Sequence, residues 1–232
     1  MRELYRFTNV RYEGSDRIFS FTLNSGEVRL LQLLDKTEKE TILDFAIGET
    51  SCDKGDIEIT QGDRRTGTLI LPVLEEERRV KDESAPVIWC SLQISRVGRV
   101  GWVAANGGLI SNLKIWENIS LPLWYHTKRD AEETEKSVEY WLKMLAIDPA
   151  VCADFMAAPP HSVEPWQRKL AGLLRALVQM PRVLVVDAGV FEDVKTRIAQ
   201  LWIAALEAYA SQDRAVLVLA DKATVLPWQK IE

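Results

Sequence analysis

The chain is poor in the residues that ordinarily announce chemistry. Among its 232 residues there are two histidines and three cysteines. Cys52, Cys90 and Cys152 are odd in number, widely separated and without the close pairing of a zinc or redox motif. That excludes a disulfide framework and points to reduced thiols in a cytosol-like compartment, each read as a small buried hydrophobe. His126 and His161 stand alone, with neither metal-ligand spacing nor a triad context, and are read as structural. No run approaches the ~18 apolar residues of a membrane span, and "MRELYRFTNV" has no apolar signal core, so membrane contact is expected only through a partner or a surface. Positive charge is not in excess: 29 Lys and Arg face 34 Asp and Glu, a net −5 with the signs interspersed. Non-specific nucleic-acid binding therefore lacks its electrostatic basis, and no nucleic-acid partner is expected. There is no internal repeat, no low-complexity tract and no charged tail.

What is present is an ordinary globular composition, 47% apolar, with enough chain to bury a substantial core as one domain with a lobe or as two small ones. Residues 4 to 33 alternate apolar and polar positions around the turn signals "EGSD" and "NSGE", which predicts short strands. "VRLLQLL" and the following "DKTEKETILDFAIG" read as a buried strand, a short loop and a helix that ends near Gly48. "DKGDIEITQGD" and "TGTLILPVL" look like further β structure, and "EEERRVKDES" like a solvated charged insert. "RDAEETEKSVEYWLKMLA" predicts a helix whose acidic first turn suits the positive end of the helix dipole. After the break "AAPPHSVEP" comes a second helix, then the strand "RVLVVDAG", the helix "VKTRIAQLWIAALEAYA" and the strand "AVLVLAD". Alternation of strand and helix implies a parallel sheet covered on both faces.

In their shared register these pieces resemble the ATP-binding subunits of ABC transporters over almost the whole chain. Gly26-Glu27 leads without a gap to "LLDKTEKET" where that family has its phosphate loop, placing Lys39 at the loop's lysine and Thr41 just after the magnesium-binding hydroxyl. Gly48 and the segment Gly55 to Ile57 match later landmarks. "VGWVAANGGLISNLKIWENISLPLWYH" looks like the Q-loop and the start of a helical lobe, closest to bacterial lipid and lipoprotein exporters. "VEPWQ" falls at the signature motif, "RALVQMPRVLVVD" at the following helix and Walker B strand, and "LVLAD" before the switch histidine. The resemblance implies an α/β, P-loop NTPase type of sheet core with an antiparallel β region. A helical lobe at about 106–175 would be inserted in a core formed by 1–105 and 176–232.

Against that pattern the chemistry reads as lost. A phosphate loop needs glycines so that backbone N–H groups can wrap the phosphates. Leu33, Lys36 and Glu38 occupy those positions, and Glu40 replaces the magnesium-binding hydroxyl. With Asp35 and Glu38, Glu40 makes three carboxylates whose repulsion should dominate Lys39 at a polyanion site. Thr37 and Glu40 have capping-box spacing, which would satisfy the helix start without an anion. By the resemblance, Ala105 stands at the Q-loop glutamine, Ala188 at the catalytic glutamate and Asp221 at the switch histidine. Glu164, Pro165 and Trp166 replace Ser-Gly-Gly of the signature, leaving Gln167, and Glu164-Pro165 reads as an ordinary helix start. Asp187 is read as a capped or paired strand-end carboxylate, and Tyr12, at the adenine-stacking position, as packing.

The implied protein is not an enzyme: catalytic residues none, cofactors none, metals none, because phosphoryl transfer depends on positioning and charge stabilisation and both are missing. Its expected role is structural or regulatory, on the cytoplasmic side of a membrane transport complex of lipid-export type. The implied partners are a transmembrane permease subunit and an ABC-type dimer mate, self or paralogue. Trp116 and Trp124 are candidates for the groove that receives the permease, or for packing within the lobe. Two alternatives stay open, a soluble adaptor and an atypical active ATP-binding subunit. The short tail after Asp221, with Trp228, is expected to fold back on the body with no regulatory extension.

Overall fold

A computed structural model describes residues 2–60, 89–92, 99–126, 130–148 and 152–224. The expected β segment at 66–74, the charged insert at 75–84 and the tail from 225, including Trp228, lie outside the described residues.

The alternating N-terminal segment forms β1 (Glu3–Arg11) and β2 (Phe19–Asn24), an antiparallel pair. β4 (Lys54–Thr60) joins β1 on its other side, and β5 (Trp89–Ser91) extends the sheet, giving the order β2-β1-β4-β5. The second sheet is parallel. It orders β3 (Val28–Leu33), β8 (Ala215–Asp221), β7 (Val183–Asp187) and β6 (Val100–Val103) as β3-β8-β7-β6. β7 and β8 are buried along their whole length, as continuous apolar runs in a doubly covered sheet should be.

Strand periodicity divides the core. Val183, Val185, Leu217 and Leu219 face a cluster shared with the antiparallel sheet and α1 (Lys36–Ile47). Leu184, Val186, Val216 and Val218 face a second cluster shared with the helices α2 (Ile115–His126), α3 (Ala131–Met144), α5 (Pro165–Gln179) and α6 (Thr196–Ala210). A short α4 (Ala153–Ala157) lies between α3 and α5. Each such fully buried aliphatic side chain contributes about 1.5–3 kcal/mol, so the parallel sheet is held from both faces.

Helix ends follow local chemistry. Gly48 closes α1 in the left-handed region at φ 73°, a conformation that costs glycine no Cβ clash. Asp130 caps α3 by accepting from the Glu133 N–H at 2.8 Å. α2 forms in the segment read as the start of the helical lobe, despite Pro122 inside it. Ile115, Ile119 and Leu123, at four-residue spacing, are all buried, and that apolar stripe outweighs the backbone bond Pro122 cannot make.

Candidate functional site at the C-terminal edge of the parallel sheet

In a parallel sheet the C-terminal strand ends share one edge, and here they bring together residues distant in sequence. β3 ends at the buried Leu33, and only Leu34 and Asp35 link it to α1. Asp35 is the N-cap, its side chain accepting from the Glu38 N–H at 2.9 Å. Glu38 in turn accepts from the Leu34 N–H at 2.6 Å. This corrects the capping box expected at Thr37 and Glu40. Asp35 and Glu38 have the same spacing, and Asp35 is where the chain leaves extended backbone, so the helix begins two residues earlier. Thr37 lies inside the first turn, where its carbonyl accepts from the Thr41 hydroxyl at 3.0 Å.

The expected crowd of carboxylates around Lys39 is also corrected. Glu38 is buried, but it pairs with the Arg17 guanidinium and accepts from the Tyr12 hydroxyl at 3.2 Å. Glu40 points outward and meets Lys36 at 3.6 Å, one helical turn away, with both side chains exposed. Asp35 is engaged in its cap. Each acid of the segment thus has its own local donor, and none of these contacts repels Lys39.

Lys39 instead meets carboxylates from the strand ends. Its Nζ lies 3.1 Å from Asp187 Oδ1 and 3.0 Å from Asp221 Oδ2. All three residues are less than a tenth exposed, at 7%, 8% and 7%. Asp187 also accepts from the Gly189 N–H at 2.9 Å. Asp221 Oδ1 accepts from the N–H groups of Ala223 and Thr224 and from the Thr224 hydroxyl at 2.9–3.0 Å. Burial works to lower the pKa of the Lys39 ammonium, but the hydrogen bonds and charges of Asp221 and Asp187 outweigh it, leaving a value above the ordinary lysine range. For Asp221 burial pushes upward, and Lys39 and Thr224 prevail in the other direction, holding the carboxyl below the ordinary aspartate range.

The neighbouring turns close over this edge. Ala188 begins a buried 3-10 turn, Ala188–Phe191, directly after β7. A Cβ on Gly189 would lie 2.8 Å from the Ala105 Cβ, so the turns after β6 and β7 are in contact. Gly107 carries φ 88°, and a Cβ on Gly172 of α5 would sit 2.3 Å from the Gly107 carbonyl oxygen. Two glycines therefore let the loop after β6 press against α5.

α5 starts as its sequence suggested, with Pro165 in its first turn. Gln167 Oε1 accepts from the Glu164 N–H at 2.9 Å, and the Glu164 carboxylate accepts from Trp166 Nε1 at 2.6 Å. One turn along, Lys169 donates to the carbonyls of Gly189 and Glu192 at 3.0 and 2.6 Å, tying α5 to the turn after β7. Sequence reasoning missed Lys169 and Arg17, since neither residue carries a local motif and both find their partners through tertiary packing. On α2, Trp116 packs half-buried against the helical cluster, whereas Trp124 is 47% exposed.

Among the described residues no group of three or more His, Cys, Asp or Glu is disposed to hold a metal ion, and no helix is long and apolar enough to cross a membrane. For a magnesium nucleotide the arrangement as folded is not a fit. Lys39 is already shared by two carboxylates, the Glu38 N–H of α1 is taken by Asp35, and the Leu34 N–H just before the helix is taken by the Glu38 carboxylate.

No protein-family model matches the chain, and no curated protein does. Solved structures do. An ATP-binding subunit of an ABC transporter aligns over 94% of this chain and 80% of its own, with a TM-score of 0.67 and 13% identity. The fold is that of an ABC-transporter ATP-binding cassette. MJ0796, a bacterial ABC transporter cassette solved as a dimer, aligns over 94% of this chain and 88% of its own, at TM-score 0.67 and 18% identity. Its post-hydrolysis dimer with ADP and Pi gives 0.66 and 17% over the same shares. A cbiO1 protein from Clostridium perfringens, part of the transporter complex cbiONQ, covers 96% of this chain and 80% of its own at TM-score 0.63 and 15% identity.

These matches correct the expectation that the chain is not an enzyme. The cassettes sharing its fold are ABC ATPases, one of them caught after hydrolysis, and nothing in the matches marks the motifs as decayed. The physical reason is that a missing motif residue describes one aligned position, whereas the fold conserves a whole strand-and-helix frame. That frame still delivers a lysine and two carboxylates to one edge.

Proposed function

We propose that this chain is an ABC-ATPase-like subunit with a structural or regulatory part in a membrane transport complex. In this reading it sits on the cytoplasmic side, docked on a transmembrane permease subunit and paired with an ABC-type mate, itself or a paralogue. The helical lobe at about 106–175, inserted between 1–105 and 176–232, carries the docking surface, and Trp124 at the exposed end of α2 contributes to it. Lipid export is the proposed class of transport, on the resemblance of residues 100–126. The observation that carries the reading is the buried Lys39–Asp187–Asp221 tie, because it completes the frame with the chain's own carboxylates. An assembly held by such a subunit does not need nucleotide to form.

The test is to purify the full chain with its membrane partners and to measure permease association and oligomeric state without nucleotide, with ATP and with ADP. Association is expected in all three conditions and is expected to weaken in Trp124→Ala. An assembly that forms or dissolves only with ATP would sink the reading, as would a chain that captures no membrane protein.

A further inference from the structure

The opposite edge of the parallel sheet carries charge that the Lys39 site does not use. Since β6, β7 and β8 run parallel, Val100, Val183 and Ala215 are register partners at their N-terminal ends. One residue earlier on each strand stands an arginine: Arg99, Arg182 and Arg214. Backbone bonds fix the row, with Val183 N–H donating to the Arg99 carbonyl and Ala215 N–H to that of Arg182, both at 3.0 Å. Gly26 N–H donates to the Arg214 carbonyl at 2.8 Å and the adjacent Ser25 N–H to that of Arg2 at 2.7 Å, which brings a fourth arginine to this edge.

Neighbouring strands lie about 4.8 Å apart, so register sets like charges side by side, a pairing that is unfavourable unless something answers it. The guanidinium contacts do not. Arg182 donates to the Thr60 hydroxyl at 2.8 Å, Arg99 to the Cys90 thiol at 3.1 Å, and Arg214 to the carbonyls of Met180 and Gln212 at 3.3 and 2.7 Å. All these acceptors are neutral. Among the described residues none of the four arginines forms an ion pair, while Glu27, at the start of β3, is paired with Arg29. Burial lowers the pKa of Arg182, and Arg2, Arg99 and Arg214 press the same way, with Asp213 opposing. In a chain whose net charge is −5, this is a local concentration of cations rather than a generally basic surface.

We propose that Arg99, Arg182 and Arg214, with Arg2, form an anion site that takes a multiply charged phosphate group. Each guanidinium offers five donors in a planar fork, and among the described residues the contacts above do not use them all. A phosphate presents several acceptor oxygens and more than one negative charge to a row of cations, which a single carboxylate does not. The group can belong to a free polyphosphate or to a lipid headgroup that ends in a phosphomonoester, since the recognising chemistry is the same.

Two arms separate these sources. Pyrophosphate is titrated calorimetrically into the full chain, and flotation is measured with phosphatidylcholine vesicles containing or lacking phosphatidic acid, whose headgroup is a phosphomonoester. Saturable pyrophosphate binding identifies a soluble source, and flotation that requires phosphatidic acid without pyrophosphate binding identifies a headgroup; either upholds the site. Arg182→Gln is expected to weaken the interaction at least roughly tenfold, consistent with loss of a charge-assisted hydrogen bond. Arg99→Gln repeats the test at a second position should Arg182→Gln fold poorly. Lys36→Gln, an equal charge change at the opposite edge, is expected to leave binding unchanged. Absence of both interactions overturns the proposal, as does binding that the two arginine variants leave intact or that Lys36→Gln weakens equally.

Discussion

At the C-terminal edge of the parallel sheet one buried lysine is held between two carboxylates, whereas at the N-terminal edge three arginines stand in register with only neutral contacts among the described residues. Both sets of residues sit at strand ends or on the helix that follows one; the pairing of β7 with β8 places both, and that of β6 with β7 adds Arg99 to the second. The difference lies in what crosses the edge. α1 carries Lys39 over the ends of β7 and β8, so opposite charges meet away from water. On the other side the approaching groups are a hydroxyl, a thiol and backbone carbonyls, which accept hydrogen bonds without cancelling charge. A matched buried set acts as a tie within the fold, and an unmatched, partly exposed set is suited to a ligand.

The largest effect expected of any change to this comparison is Lys39→Met. It leaves Asp187 and Asp221 buried without their cation, and breaking one side of a buried pair typically costs about 3–5 kcal/mol. Urea unfolding should show a lower midpoint at an unchanged slope, with much of the loss recovered when Asp187→Asn and Asp221→Asn are added. A cost under ~1 kcal/mol would put the tie in the class of surface pairs and remove the contrast between the edges.

A smaller effect is expected with acid. The folded pKa of Asp221 lies below its unfolded value, so its stabilisation is fully present above about pH 4 and is lost as pH falls through the folded value. Asp221→Asn should therefore be less stable than wild type at neutral pH and converge with it below about pH 4. Parallel curves for the two proteins down to pH 2 would show that the carboxylate does not depend on Lys39 as described.

The smallest effect belongs to the arginine edge without anion. Arg182→Gln gives up a neutral bond to Thr60 and relieves like-charge repulsion, so stability should change by no more than about 1 kcal/mol in either direction. Raising ionic strength should stabilise wild type slightly more than Arg182→Gln, because these charges are partly exposed and open to screening. A loss as large as that of Lys39→Met would mean that Arg182 is itself a tie.

Much of the fold was legible in the residues. The apolar runs of β7 and β8, the spacing of α3, α5 and α6, and the glycine stop at Gly48 are local signals, and each segment adopts what its own pattern favours. The start of α1 was misplaced because two overlapping pairs satisfy one capping pattern, and only the exit geometry of β3 chooses Asp35 with Glu38 over Thr37 with Glu40. α2 was expected only by resemblance, as the start of a helical lobe without bounds: Pro122 argues against a helix locally while Ile115, Ile119 and Leu123 argue for one through burial. At the site, the charges of Glu38 and Glu40 were visible in the sequence, but their partners were not. Arg17 reaches Glu38 from the turn after β1, a contact that no spacing rule anticipates.

The sequence by itself determined the elements, the parallel character of the central sheet, and the presence of a charged residue at or next to an end of each of its strands. Those follow from interactions within a few residues, where periodicity and turn chemistry act. Only the tertiary structure decided that Lys39 would lie between Asp187 and Asp221, and that Arg99, Arg182 and Arg214 would share a row. Charge interactions weaken with distance and with exposure to water, so the fate of a charged residue depends on strand register and on what packs over it. Both are relations between segments far apart along the chain.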